Sequence, residues 1–169
     1  TPMEEVGTNE KGVSVSAMVT LRANSKVTGV DHMVGGGMCE SDMATILLSE
    51  ATTAKEGVEL LLDIYNTVGA EEKSGVLIAD QNEIWYVENL TGHTYTAIKL
   101  SSHMITINPN MGAIGLVDLD DTENVIASAN LISVAEQAGT FVGDKNENTI
   151  DVFKSYCYYA SGTPSGRLV

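Results

Sequence analysis

Gly75-Val76-Leu77-Ile78-Ala79, Ile84-Trp85-Tyr86-Val87-Glu88 and Thr94-Tyr95-Thr96-Ala97-Ile98-Lys99-Leu100 are short runs of β-forming residues, broken by Asp80-Gln81-Asn82 and Thr91-Gly92-His93. Runs of this length with turn residues between them predict an antiparallel meander. A further run over 103–108, beyond Ser101-Ser102, extends it. Upstream, Val13, Val15, Ala17, Val19 and Leu21 alternate with Ser14, Ser16, Met18 and Thr20, the period of a half-buried strand entered through the turn Gly7-Thr8-Asn9-Glu10-Lys11-Gly12. Residues 22–37 are mostly polar, end in Gly35-Gly36-Gly37 and read as a surface loop. No Lys-Ser/Thr follows those glycines, so they lack the pattern of a phosphate-cradling loop.

Helical signals flank the meander. Ser41-Asp42 predicts the cap of a short helix through Leu48, and Thr53 with Glu56 forms a capping-box pattern before Val58, Leu61, Leu62, Tyr65 and Val68. Gly69 is placed to stop that second helix. Another helix is expected from Asp121 to about Ala138, with Ile126, Asn130, Leu131, Val134 and Ala135 toward one side. Ile150, Val152, Phe153, Tyr156 and Tyr159 suggest a last short one. Strands and helices are segregated along the chain, which argues for α+β rather than a parallel α/β sheet.

The 169 residues suit one domain over 1–169, and the balance of 43% hydrophobic to 19% charged residues is that of a globular chain. No apolar run approaches the ~18 residues of a membrane span. Nine Lys and Arg against 23 Asp and Glu give a formal charge of −14, a field that repels phosphate backbones and argues against nucleic-acid partners. Thr1-Pro2-Met3-Glu4-Glu5 has neither the basic start nor the apolar stretch of a signal peptide, and Cys39 and Cys157 lack the spacing of a zinc site or disulfide framework. A reducing cytoplasm is the expected location.

Among chemical candidates, a triad hydrolase would need Cys39 or a serine brought to His32, His93 or His103, and no Gly-x-Ser-x-Gly elbow is present. Asp118-Leu119-Asp120-Asp121-Thr122-Glu123 resembles the start of a calcium loop, but Glu123 replaces the required Gly and Ala129 the closing Glu. Helix capping is the expected role of these acids. Asn89-Leu90-Thr91 is a formal glycosylation sequon expected to serve as a hairpin turn.

Taken together, Gly7 through Ala17, Ala54-Lys55-Glu56-Gly57-Val58-Glu59-Leu60-Leu61, Gly75 through Asp80, and Glu83-Ile84-Trp85-Tyr86-Val87-Glu88 with Thr91-Gly92-His93 resemble the N-terminal-nucleophile (Ntn) cysteine dipeptidases, relatives of bile salt hydrolase and penicillin V acylase. Asp118-Leu119-Asp120-Asp121 with Ala127-Ser128 and Asn130-Leu131 is similar to the dipeptidase branch specifically. The resemblance covers nearly the whole chain.

It implies a four-layer αββα sandwich with antiparallel sheets, here partial and without its N-terminal strands. It also implies bacterial origin and dipeptide hydrolysis by a mature N-terminal Cys, with no metal or organic cofactor. In the family that Cys precedes the Asn-Glu-Lys-Gly turn, so the chain is expected to be a central fragment lacking its nucleophile and inactive alone. Cys39 and Cys157 match no catalytic position. By resemblance, Asn108 in Ile105-Thr106-Ile107-Asn108-Pro109 is the side-chain oxyanion donor, Arg167 in Thr163-Pro164-Ser165-Gly166-Arg167 the late active-site Arg, and the backbone N–H at Val19 the second oxyanion donor. The relatives often carry an acid at the position of Val19, and Met18-Val19-Thr20 departs from that pattern. Alternatives are an N-acyl amide or bile-salt-type acylase and a catalytically dead binding or scaffold domain. The expected partner is a dipeptide substrate, with a homodimer covering any unpaired strand edge.

Overall fold

The computed structural model describes residues 5–19, 22–103, 105–106 and 111–157. In chain order these form β1 (Val6–Thr8), β2 (Ser14–Met18), α1 (Ser25–Thr28), α2 (Glu40–Glu50), α3 (Ala54–Thr67), β3 (Gly75–Ala79), β4 (Ile84–Asn89), β5 (Tyr95–Lys99), β6 (Leu116–Asp118), β7 (Val125–Ala127), α4 (Leu131–Gln137), β8 (Gly143–Asp144), β9 (Thr149–Asp151) and α5 (Val152–Tyr156). The large sheet runs β1-β2-β3-β4-β5-β7 with every neighbour antiparallel, and a small sheet runs β6-β9-β8. The architecture is α+β with antiparallel sheets, consistent with an Ntn-type sandwich.

Strand alternation sends side chains to two faces. Val15, Ala17, Val76, Ile78, Trp85, Val87 and Ala97 face one way and bury against Met43 and Leu47 of α2 and Val58, Leu61 and Tyr65 of α3. Each fully buried Leu or Val there contributes ~1.5–3 kcal/mol. Tyr86, with the partly buried Leu77 and Ile98, faces the other way and packs with Leu131, Val134, Val152, Tyr156, Val117 and Ile150, which come from α4, α5 and the small sheet.

The sequence locates α3 closely. Thr53 Oγ1 accepts from Glu56 N–H at 3.2 Å as the capping pattern requires, although the Glu56 carboxylate reaches back to Thr52 N–H at 2.9 Å rather than to Thr53. Asp80 in the β3-β4 turn adds a second cap, accepting from Ala54 N–H at 2.8 Å. Gly69 adopts φ +87° and ends the helix, a conformation that disfavours a side chain. The turn before β2 is held by Asn9: its Oδ1 accepts from Lys11 and Val13 N–H, each at 3.0 Å, and its Nδ2 donates to Leu48 and Ala51 carbonyls at 3.0 and 2.8 Å.

Four expectations need correction. The helix begun by Ser41-Asp42 starts at Glu40 with Cys39 as N-cap, because the acids sit inside the first turn. Residues 22–37 contain the one-turn α1, capped by Asn24, whose side chain accepts from Lys26 N–H at 2.9 Å. The helix expected from Asp121 is confined to Leu131–Gln137: Asp118 and Asp121 cap tight turns through Asp120 and Asn124 N–H, and Val125–Ala127 pair with β5 as an edge strand. Of the strand expected over 103–108, His103, Ile105 and Thr106 are not in a strand and 104 and 107–108 lie outside the described residues.

Candidate functional site

Register places the polar residues of the core at one end of the large sheet. Met18, Gly75, Glu88, Thr96 and Ala127 form one row across β2, β3, β4, β5 and β7. Lys73, Ser74, Glu88, Asn89, Thr94, Thr96 and Ser128 are all buried at or just beyond that row. Burying polar groups costs stability unless they are paired, and of this set only Thr96 Oγ1 and Glu88 Oε2 lack a hydrogen-bond partner.

Val19 follows β2 at this end, and its N–H donates to the carboxylate of Glu40 at the start of α2. Burial pushes the Glu40 carboxyl up, as do the nearby Glu5 and Glu72 carboxylates, while the Val19 bond only partly offsets them. The Glu72 carboxylate in turn accepts from Glu40 N–H at 2.8 Å. Glu40 thus brings a carboxylate from α2 to the Val19 N–H.

On β4, Glu88 is fully buried, and its Oε1 accepts from Ala113 and Ile114 N–H at 2.6 and 3.3 Å. Its Oε2 and the Tyr86 hydroxyl lie near each other without completing a hydrogen bond of normal geometry. Burial drives the Glu88 carboxyl up, opposed chiefly by the Lys73 ammonium. Asn89, the sequon asparagine, is also buried: its Oδ1 accepts from Ser74 N–H and Oγ, both at 2.7 Å, and its Nδ2 donates to the Glu72 carbonyl at 2.8 Å. That amide is committed to the interior and holds the approach to β3.

A second network flanks the same end. Asp31 accepts from Thr91 Oγ1 at 2.5 Å, His93 N–H at 2.7 Å and Thr94 Oγ1 at 3.0 Å, and pairs with His93 Nδ1 at 3.1 Å. Burial works to raise its carboxyl, yet those bonds together hold it below the usual range. Gly92 permits the contact, since a Cβ there would fall 2.0 Å from the His32 carbonyl oxygen. His93 is therefore tied to Asp31, while Cys39 Sγ contacts Ser41 Oγ at 3.0 Å and Asp42 Oδ2 at 3.2 Å, so the structure does not join these two as a nucleophile and base.

Of the residues singled out from sequence, Val19 lies at the polar end, and Asn108 and Arg167 lie outside the described residues. Glu88, Lys73, Glu40 and Asp31 were missed. Glu88 alone had a local signal, an acid inside an otherwise apolar strand. No group of three or more His, Cys, Asp or Glu among the described residues is placed to hold a metal ion, and no helix among them is long and apolar enough to cross a membrane. A cleft of about 480 Å³ opens at the far edge of the sheet, between Leu119, Val125, Ala127, Leu131 and Asn148. It is separated from β2 by β3, β4 and β5.

The family model described as peptidase family C69 matches residues 1–163. A probable dipeptidase B of Streptococcus pyogenes serotype M6 is 40% identical over 153 residues, covering 90% of this chain and 30% of the relative. A probable dipeptidase of Latilactobacillus sakei is 35% identical over 128 residues, covering 76% of this chain and 27% of the relative. A probable dipeptidase A of Streptococcus pyogenes serotype M3 is 35% identical over 127 residues, 75% of this chain and 27% of the relative. The chain spans about three-tenths of the length of these curated relatives.

Proposed function

The chain belongs to peptidase family C69, and on that premise we propose that its parent protein is a bacterial cysteine dipeptidase acting through an N-terminal Cys outside these 169 residues. The family match is joined by one structural observation, the convergence of buried polar groups on the end of the sheet that carries Val19. Relatives named as probable dipeptidases give the substrate class. Within the chain, Cys39 caps a helix and Cys157 is buried against Lys73, which supports a nucleophile supplied from elsewhere.

In this reading the Val19 N–H and the Asn108 amide are fixed donors for the oxyanion, and Arg167 orients the nucleophile or a substrate carboxylate. A carboxylate on Val19 N–H would repel a developing oxyanion, so the donor role requires Glu40 to be neutral or withdrawn when the acyl oxygen arrives. The upward push that burial gives the Glu40 carboxyl favours its neutral form.

The test is a substrate panel on the full-length protein with Asn108→Ala beside the wild type. Dipeptides should be cleaved in preference to N-acyl amides, and the variant should lose roughly 10²–10³ in kcat with a much smaller change in KM. Preference for acyl amides would move the protein to the acylases, no turnover would leave a binding domain, and unchanged kcat per folded molecule would remove Asn108 from the site.

A further inference from the structure

Lys73 and Cys157 meet at the polar end of the sheet, on the side that carries Glu88. Lys73 Nζ donates to Cys157 Sγ at 3.1 Å, and the two residues are only 4% and 5% exposed. Gly112 backs the sulfur: a Cβ there would fall 2.3 Å from Sγ and 3.5 Å from Glu88 Oε2. Amine, thiol and carboxylate thus share one enclosed space, and Glu88 Oε2 is buried there without a hydrogen bond. Cys39 offers the contrast within the same chain, since its partners are Ser41 and Asp42 and no amine.

We propose that Cys157 and Lys73 form a redox-dependent modification site, in which thiol oxidation by hydrogen peroxide is captured by the Lys73 amine as a sulfur–nitrogen cross-link. In the first step the thiol attacks peroxide: an S–O bond forms, the O–O bond breaks, sulfur is oxidised and one water leaves, giving the sulfenic acid. The Lys73 ammonium then gives up one proton to solvent, and the freed lone pair attacks sulfur. The S–N bond forms as the S–O bond breaks, and the leaving hydroxide takes a second proton from the nitrogen and departs as water. The product is a sulfenamide, which a thiol reductant returns to the starting amine and thiol.

Proximity decides the outcome. The amine already touches the sulfur, so its attack is intramolecular, whereas over-oxidation requires a second bimolecular encounter with peroxide. Burial pushes the Cys157 thiol up and the neighbouring Lys73 ammonium only partly offsets that push, so the attack on peroxide is the slow step and capture by the amine follows it. The bridge would tie the residues leading into β3 to the end of α5 across 84 positions of sequence. It stands independently of the hydrolytic reading.

The experiment treats the chain with hydrogen peroxide, blocks free thiols by alkylation, digests it and weighs the peptides. The expected product is a pair containing Lys73 and Cys157 whose mass is their sum less two hydrogens, with trypsin cleavage after Lys73 blocked and restored by thiol reductant. Lys73→Arg should abolish the pair and let Cys157 proceed to sulfinic acid, and Cys39→Ser should leave the pair unchanged. Recovery of Cys157 as free thiol or sulfinic acid beside an unmodified Lys73 would overturn the proposal. So would an equal cross-link yield in urea-unfolded chain, because the folded contact would then be irrelevant.

Discussion

Two carboxylates at the polar end respond to folding with opposite signs. Asp31 is held below the usual range, so its contribution to stability is complete above the ordinary Asp value and is lost as pH falls through the lowered one. Glu40 is pushed up by burial and by Glu5 and Glu72; its contribution is complete below the ordinary Glu value and disappears as pH rises through the raised one. At neutral pH, Asp31→Ala should therefore cost about 2–3 kcal/mol, since it orphans the His93 N–H and leaves the buried Thr91 and Thr94 hydroxyls with only each other. Glu40→Gln keeps an acceptor for Val19 N–H and should be neutral or slightly stabilising, the relief of burial and repulsion outweighing the lost charge at the α2 N-terminus. Urea unfolding of both variants across pH checks the signs; equal pH slopes for wild type and Asp31→Ala would remove Asp31 from the network. Neither acid was legible as a site residue, because each acquires its environment from residues distant in sequence.

Elements with local signals were legible and those without were not. Gly75–Ala79 and the Thr53-capped α3 carry their boundaries in turn residues and caps, and the structure reproduces them. The stretch after Asp118 misled because its acids cap turns as readily as helices, and Val125–Ala127 becomes a strand only by meeting the free edge of β5. The small sheet was invisible for the same reason: strands of two or three residues exist through their partners. Asn9 shows how far a turn residue can reach, binding its own turn and the last carbonyls of α2. Asn9→Ala should accordingly cost about 2–3 kcal/mol, more than the ~1 kcal/mol expected for removing a single cap in Thr53→Ala. Thermal unfolding of the two variants gives the order, and a larger loss for Thr53→Ala would contradict this account of the turn.

At the scale of the whole molecule, antiparallel register gathers Val19, Glu88, Thr96 and Ser128 at one end although they are spread over most of the chain. The sequence resemblance reached the family without that register, because short motifs in order survive where long-range contacts leave no local trace. Lys73 and Glu88 needed the sheet to be seen together, and Asn108 and Arg167 rest on resemblance. The C69 reading holds that this chain contributes oxyanion donors and a substrate-facing sheet end, and that the attacking thiol comes from outside it. Release of free amino acids from a dipeptide panel, measured side by side for the full-length protein and for the 169-residue chain, tests this most directly. Turnover by the full-length protein with none above buffer rate from the chain is the expected result; hydrolysis by the chain that Cys39→Ala abolishes would contradict it.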